Sequence, residues 1–235
     1  MKRGKNMAEA ATKNRNFSVK EITEILDLLA EEYPDAGCAL EHRNVYELIV
    51  CVVLSAQTTD ASVNRVSPEL FSRYPTVYDL ASASQEEVAD IIRTIGMYRT
   101  KSGNIIALAK ALREKHGGEV PRDHDALTEL PGVGRKTANV VLSVGFGEQR
   151  IAVDTHVFRV SYRIGLAVKG GGESAKSAGQ TEVLARETEL METLPEDRWT
   201  EAHHSLIWHG RKCCTARNPK CDICVLKDIC RNRQK

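Results

Sequence analysis

No stretch of apolar residues in this 235-residue chain approaches the roughly 18–20 that a membrane-spanning helix needs, which sets aside a transmembrane reading and a membrane partner. The opening residues, MKRGKNMAEAATKNRN, contain no apolar segment of the kind a secretory leader carries; the chain is expected to begin with a mobile basic tail over 1–17. Net charge is nearly absent, since 33 Lys and Arg face 32 Asp and Glu for a balance of +1; the total neither demands nor excludes a nucleic-acid partner. No repeat period is visible, and strand signals are few. Hydrophobic residues at 42% and charged residues at 28% exclude wholesale disorder and leave room for a buried core. The seven cysteines form no even framework: five of them (Cys213, Cys214, Cys221, Cys224, Cys230) fall within one short segment. An odd, clustered set without an export leader points to metal binding in a reducing compartment rather than to disulfides.

What is present is mostly helical punctuation. Ser18 and Glu21 make a capping-box pattern ahead of Val19, Ile22, Ile25, Leu26 and Leu29. Asn44 and Glu47 open VYELIVCVVLSAQ, whose nearly continuous apolar run does not separate a buried helix from a buried strand; its helical neighbours favour a central helix. Ser84 and Glu87 are expected to cap a helix carrying Val88, Ile91, Ile92 and Ile95 and closed by Gly96. A further helix over Ile105–Leu112 ends at Gly117-Gly118, and Ala126, Leu127 and Leu130 precede LPGVGRKTA, after which Ala138, Val140, Val141 and Leu142 resume the pattern. That stretch predicts a helix–hairpin–helix over 123–143. Asp154 stands where an N-cap would, before THVFRVSYRIG, and helices are expected around 181–194 and 200–212. KGGGESAKSAGQ (169–180) reads as the one flexible insertion. The class is all-α.

Two features carry chemistry. From Cys214 the spacing is C-x6-C-x2-C-x5-C through Cys221, Cys224 and Cys230. Four thiolates so close together repel one another unless a cation lies between them, so a metal site is expected; spacing alone leaves zinc and an iron–sulfur cube open, and leaves Cys213 ambiguous. Cys38 and Cys51 read as small core residues. In the hairpin, Gly132 and Gly134 allow tight backbone and close approach, and the amides at the start of the next helix can receive a phosphate; a plain turn between helices is the other reading. From His204 onward eight Lys or Arg face two acids, which suggests a local anionic contact, or a solvated end.

LPGVGRKTANVVL, IAVDTHVFRV, VLSAQTTD and this cysteine spacing occur in the order found in the endonuclease III family, which the chain resembles from about residue 18 to its last cysteine. The resemblance implies two helical domains flanking a DNA-binding groove. One covers 38–148, with six helices and the hairpin; the other joins 18–37 to 149–235 and carries a [4Fe-4S] cluster on Cys214, Cys221, Cys224 and Cys230, with Cys213 a bystander and the cluster structural. It implies that Arg217 and Lys220 touch DNA phosphates, as do Gly132, Gly134 and Arg135; that Gln57 fills the space left by an extruded nucleotide; and that Met97, where leucine is common, wedges into the stack. His156, Ser55 and Asp60 match pocket-lining positions. The insertion at 169–180 is longer than is usual in the family.

The implied activity is that of a bifunctional DNA glycosylase/AP lyase of base excision repair, acting as a monomer in the cytoplasm at the nucleoid on double-stranded DNA with oxidised or saturated pyrimidines or abasic sites. Lys136 matches the nucleophile. An amine of pKa near 10.4 is neutral in roughly one molecule in 2,500 at pH 7, about 4.6 kcal/mol from readiness, so its surroundings must disfavour the ammonium. Asp154 is therefore expected to face the sugar rather than pair with the lysine. Two rivals remain: an adenine-mismatch glycosylase, a family that generally lacks this lysine and carries a further C-terminal domain, and a non-enzymatic iron–sulfur DNA-binding protein.

Overall fold

The computed structural model describes residues 17–175 and 177–232; the proposed basic tail, except Phe17, lies outside the described residues, as do Lys176, Arg233 and Lys235. All regular structure among the described residues is helical, and no helix is long and apolar enough to cross a membrane. The chain divides into two compact units, one within Met1–Gly37 and Val153–Lys235 and the other Cys38–Ala152.

The first unit begins with α1 (Val19–Glu32), and its capping box is formed: the Glu21 amide donates to Ser18 Oγ at 3.3 Å while the Ser18 amide donates to Glu21 Oε2 at 2.8 Å. Ile22, Ile25, Leu26 and Leu29 make the buried face.

In the second unit, α2 (Val45–Leu54) resolves the ambiguous apolar run as a helix, with Asn44 Oδ1 accepting from the Glu47 amide at 2.9 Å. It is buried along almost its whole length because α3 (Asp60–Arg73) and α6 (Tyr98–His116) pack against it. Between these two lie α4 (Val77–Ala81) and α5 (Gln85–Ile91), which pack on α6. Two expectations for this region need correction. Ser84 stands at the N-cap of α5 but makes no capping bond; its hydroxyl goes to Glu86 Oε2 at 3.0 Å instead. The helix also stops at Ile91, short of Gly96, and the left-handed residue before α6 is Met97. Then come α7 (His124–Thr128), capped by Asp123 on the Ala126 amide at 2.8 Å, and α8 (Arg135–Val140). The chain continues from α8 into a π-helical turn, Val141–Gly145, which the sequence pattern did not announce. Gly145 fits there because a Cβ would meet Val45 Cγ1 at 3.0 Å and Leu48 Cδ2 at 3.1 Å, so the turn can lie against α2.

The first unit resumes with α9 (Thr155–Ile164), α10 (Gln180–Thr193) and α11 (Trp199–Lys212). Helices α9 and α11 approach closely at Gly210, where a Cβ would meet His156 Cβ and Val160 Cγ2, each at 3.0 Å. The segment read as a flexible insertion is anchored along its first half. Arg186 of α10, 0% exposed, donates to Lys169 O at 2.7 Å and Phe158 O at 2.6 Å, with its guanidinium 4.2 Å from the Phe158 ring centre. Arg163 of α9 bonds Glu173 at 2.7 Å.

These caps separate a working side chain from an idle one. Asn44→Ala removes a bonded cap and is expected to lower unfolding free energy by about 1 kcal/mol, whereas Ser84→Ala leaves it within about 0.5 kcal/mol; urea unfolding of both variants checks the difference.

Candidate active site and cluster loop

The turn Leu130–Gly134 joins α7 to α8, closed by the Val133 amide on Leu130 O at 3.1 Å. Its two glycines do different work. Gly132 has φ +77, and a Cβ there would meet Val53 Cγ1 at 3.2 Å, so both backbone and packing require glycine. Gly134, by contrast, is extended (φ −98, ψ 175), a conformation open to any residue. That corrects the expectation of a special backbone at both positions. A Cβ at Gly134 would touch nothing within 4 Å, so the face beside the first turn of α8 is open. Arg135 and Lys136 follow at once, both exposed. No hydrogen bond or ion pair to Lys136 is formed among the described residues.

Elsewhere in the same unit two loops are strained. Gln57 (φ 53) and Met97 (φ 59) are the non-glycine residues with positive φ among the described residues, a conformation costing on the order of 1–3 kcal/mol each. Both side chains are exposed, Met97 at 52% although it is apolar. Ser55 and Asp60 flank Gln57 in chain order.

In the other unit Asp154 is the N-cap of α9. Its Oδ1 accepts from the amides of His156 and Val157, both at 2.8 Å, which fixes the half-buried carboxylate in space. Burial lowers the pKa of the His156 imidazole, which lies 3.3 Å from Arg159.

The cysteine loop follows α11. Cys213, Cys214, Cys221, Cys224 and Cys230 line one small cavity with Arg163, His209 and Leu226. Burial pushes up the thiols of Cys213 and Cys214, the latter opposed by Arg163, and carries Cys224 up to about 12. Neighbouring cysteines add to each shift, so these groups ionise together only around a cation. The donor set fits an iron–sulfur cube. Arg217 and Lys220 lie exposed on the segment between Cys214 and Cys221.

Three residues at this site escaped the sequence reading. His209 Nε2 lies 3.6 Å from Cys224 Sγ, and His209, Cys213 and Cys224 offer ligand atoms within 4.8 Å of one another. Arg159 donates to Gly210 O at 2.9 Å and Cys214 O at 3.2 Å; Arg163 donates to Thr215 O at 2.7 Å, Ala216 O at 3.0 Å and Cys214 Sγ at 3.7 Å. The available signal was an arginine pair at i and i+4 within the apolar THVFRVSYRI.

The glycines and thiols yield two expectations. Gly132→Ala is expected to destabilise by about 1–3 kcal/mol, and Gly134→Ala by less than about 0.5 kcal/mol, in thermal melts. Cys224→Ala is expected to abolish the brown colour of a bound iron–sulfur cluster and lower Tm; a colourless wild-type protein holding zinc would overturn the cluster assignment.

The family described as HhH-GPD superfamily base excision DNA repair protein matches residues 50–182, over half of the chain, and the iron–sulfur binding domain of endonuclease III matches residues 214–230. Endonuclease III of Bacillus subtilis is 47% identical over 219 residues, 93% of this chain and 95% of that one; endonuclease III of Escherichia coli is 42% identical over 212 residues, 90% and 95%. A solved structure of an endonuclease III trapped as a covalent intermediate with DNA superposes with a TM-score of 0.82 at 46% identity, covering 93% of this chain and 98% of that one. The chain therefore belongs to the endonuclease III family, the DNA glycosylase/AP lyases of base excision repair that carry a [4Fe-4S] cluster.

Proposed function

We propose that this enzyme excises oxidised or saturated pyrimidines from duplex DNA and opens the resulting abasic sites, with Lys136 as nucleophile and Asp154 facing the sugar of the target nucleotide. The neutral amine of Lys136 attacks C1′, forming a C–N bond as the glycosidic bond breaks and the base departs with a proton. Opening of the sugar gives a Schiff base at C1′. Loss of a C2′ proton then expels the 3′ phosphate by β-elimination, and water releases the lysine. Asp154 stabilises the cationic sugar as the base leaves. Supporting these roles are an exposed, unpartnered lysine beside an open glycine turn and a carboxylate oriented by two amides.

The observation that carries the reading is Lys136 itself, in a chain 46% identical to an endonuclease III captured covalently on DNA. Around it, Gly132, Gly134 and Arg135 would hold one phosphate, and Arg217 and Lys220 others. Gln57 fills the vacated stack and Met97 wedges beside it, at a cost of a few kcal/mol for extruding the nucleotide. Cys214, Cys221, Cys224 and Cys230 would ligate the cluster, which supplies folding of the loop rather than base chemistry, with Cys213 outside the ligand set. The enzyme would act as a monomer at the nucleoid in the cytoplasm.

Borohydride trapping on duplex DNA with thymine glycol tests the chemistry. Wild type is expected to give a covalent adduct and Lys136→Ala none; an adduct that survives in Lys136→Ala would sink the assignment. Asp154→Asn is expected to slow base release by about 10²–10⁴-fold while DNA affinity changes less than about threefold. Equal losses in both would reduce Asp154 to a helix cap.

A further inference from the structure

The two strained loops are tied to a single buried cation. Lys101, in the first turn of α6, is 4% exposed. Its amide donates to Met97 O at 3.0 Å, the bond that starts the helix immediately after the left-handed Met97. Its side chain runs to the far end of α2, where Nζ donates to Leu54 O at 2.9 Å and to Thr58 Oγ1 at 2.6 Å.

Those two acceptors define the Gln57 turn. Of the last four carbonyls of α2, Cys51 O and Val52 O take the Ser55 amide and Val53 O takes that of Ala56; Leu54 O takes the ammonium, at the negative end of the helix dipole. The Thr58 amide donates to Ser55 O at 3.0 Å and its hydroxyl to Ala56 O at 3.4 Å, so the turn closes around Gln57 from both sides. Burial pushes the Lys101 pKa down, so holding the charge there is unfavourable in itself. An apolar side chain of equal length would fill the space without that desolvation. What the apolar side chain could not do is hold the turn.

We infer that Lys101 is a positioning residue for nucleotide extrusion: it locks the Gln57 and Met97 loops in their left-handed conformations and at a fixed spacing, so both side chains meet the duplex already arranged. The inference rests on the proposed roles of Gln57 and Met97. Preorganisation of this kind matters only when a stack must be opened. Single-stranded DNA leaves no hole to fill, so its abasic sites should reach the nucleophile without Lys101.

Borohydride trapping rates on an abasic site in duplex and in single-stranded DNA separate this role from simple support of the fold. Lys101→Met is expected to lower the duplex rate by about 10- to 100-fold and the single-stranded rate by less than about threefold. Thr58→Val keeps the Leu54 bond and is expected to show the same split at about 3- to 10-fold; it carries the test if Lys101→Met does not fold. Gln57→Ala is expected to reproduce the duplex loss, and the double variant Gln57→Ala/Lys101→Met to lose little more than either single one. Parallel losses on both DNAs, or fully additive ones in the double variant, would make Lys101 a fold residue only. If Gln57→Ala slows the duplex reaction and neither Lys101→Met nor Thr58→Val does, the inference fails and the Gln57 role stands; a silent Gln57→Ala overturns both.

Discussion

Backbone carbonyls that no helix can satisfy set the strictest demand on this chain. Many of its candidate site residues lie in loops between helices, and among the described residues no strand offers a ladder to pair their polar groups. The chain answers with long cations threaded into the interior. Arg186 reaches Lys169 O, Arg159 reaches Gly210 O and Cys214 O, Arg163 reaches Thr215 O and Ala216 O, and Lys101 reaches Leu54 O. A charged donor on a neutral carbonyl is stronger than an amide, and one guanidinium can serve several acceptors in its plane. Loops thereby gain the rigidity of secondary structure without its regular shape. The cost is desolvation of each cation, which lowers the pKa of Lys101 and of Arg159.

The two side chains proposed for the chemistry are treated in the opposite way. Asp154 is fixed by two amides through a single oxygen, while Lys136 is held by nothing beyond its helix among the described residues. On the mechanism proposed above, an exposed Lys136 is free to meet the duplex, and Gly134, where a Cβ would touch nothing within 4 Å, leaves the face beside it open.

Local signals in the sequence were legible where one interaction decides one element. The Ser18–Glu21 box, the Asn44 and Asp154 caps and the Gly117 stop all act within a turn or two, and all are formed. Cysteine spacing was legible because thiolates demand a cation wherever the rest of the chain runs. Ser84 was not, since its hydroxyl has a competing acceptor in Glu86. The left-handed turns at Gln57 and Met97 were hidden because neither residue prefers that conformation, and the Lys101 ammonium on Leu54 O and Thr58 Oγ1 beside Gln57 is brought there by tertiary packing that no local pattern shows. The segment after Val168 looked slack because its glycines are visible locally while Arg186 and Arg163, which anchor it, arrive from other helices.

The cluster loop shows why this part of the chain needs metal. Residues 214–230 contribute one fully buried apolar side chain, Leu226. Burying it yields about 1.5–3 kcal/mol, while ordering each residue of the loop costs roughly 1–2 kcal/mol. Arg159 and Arg163 hold only the first few carbonyls after α11. Farther on, Arg231 and Asn232 donate to Ile164 O and Arg163 O, tying the far end back to α9. Between these ends the loop holds itself only by short local bonds, such as the Lys220 amide on Cys213 O at 3.0 Å and Thr215 Oγ1 on Asn218 O at 2.7 Å, which leave its overall course to the thiolates. A loop so poor in apolar residues can present Arg217 and Lys220 to solvent without collapsing onto its own core, provided four strong bonds to iron replace the core it lacks. The composition of the loop thus supports the structural role proposed for the cluster.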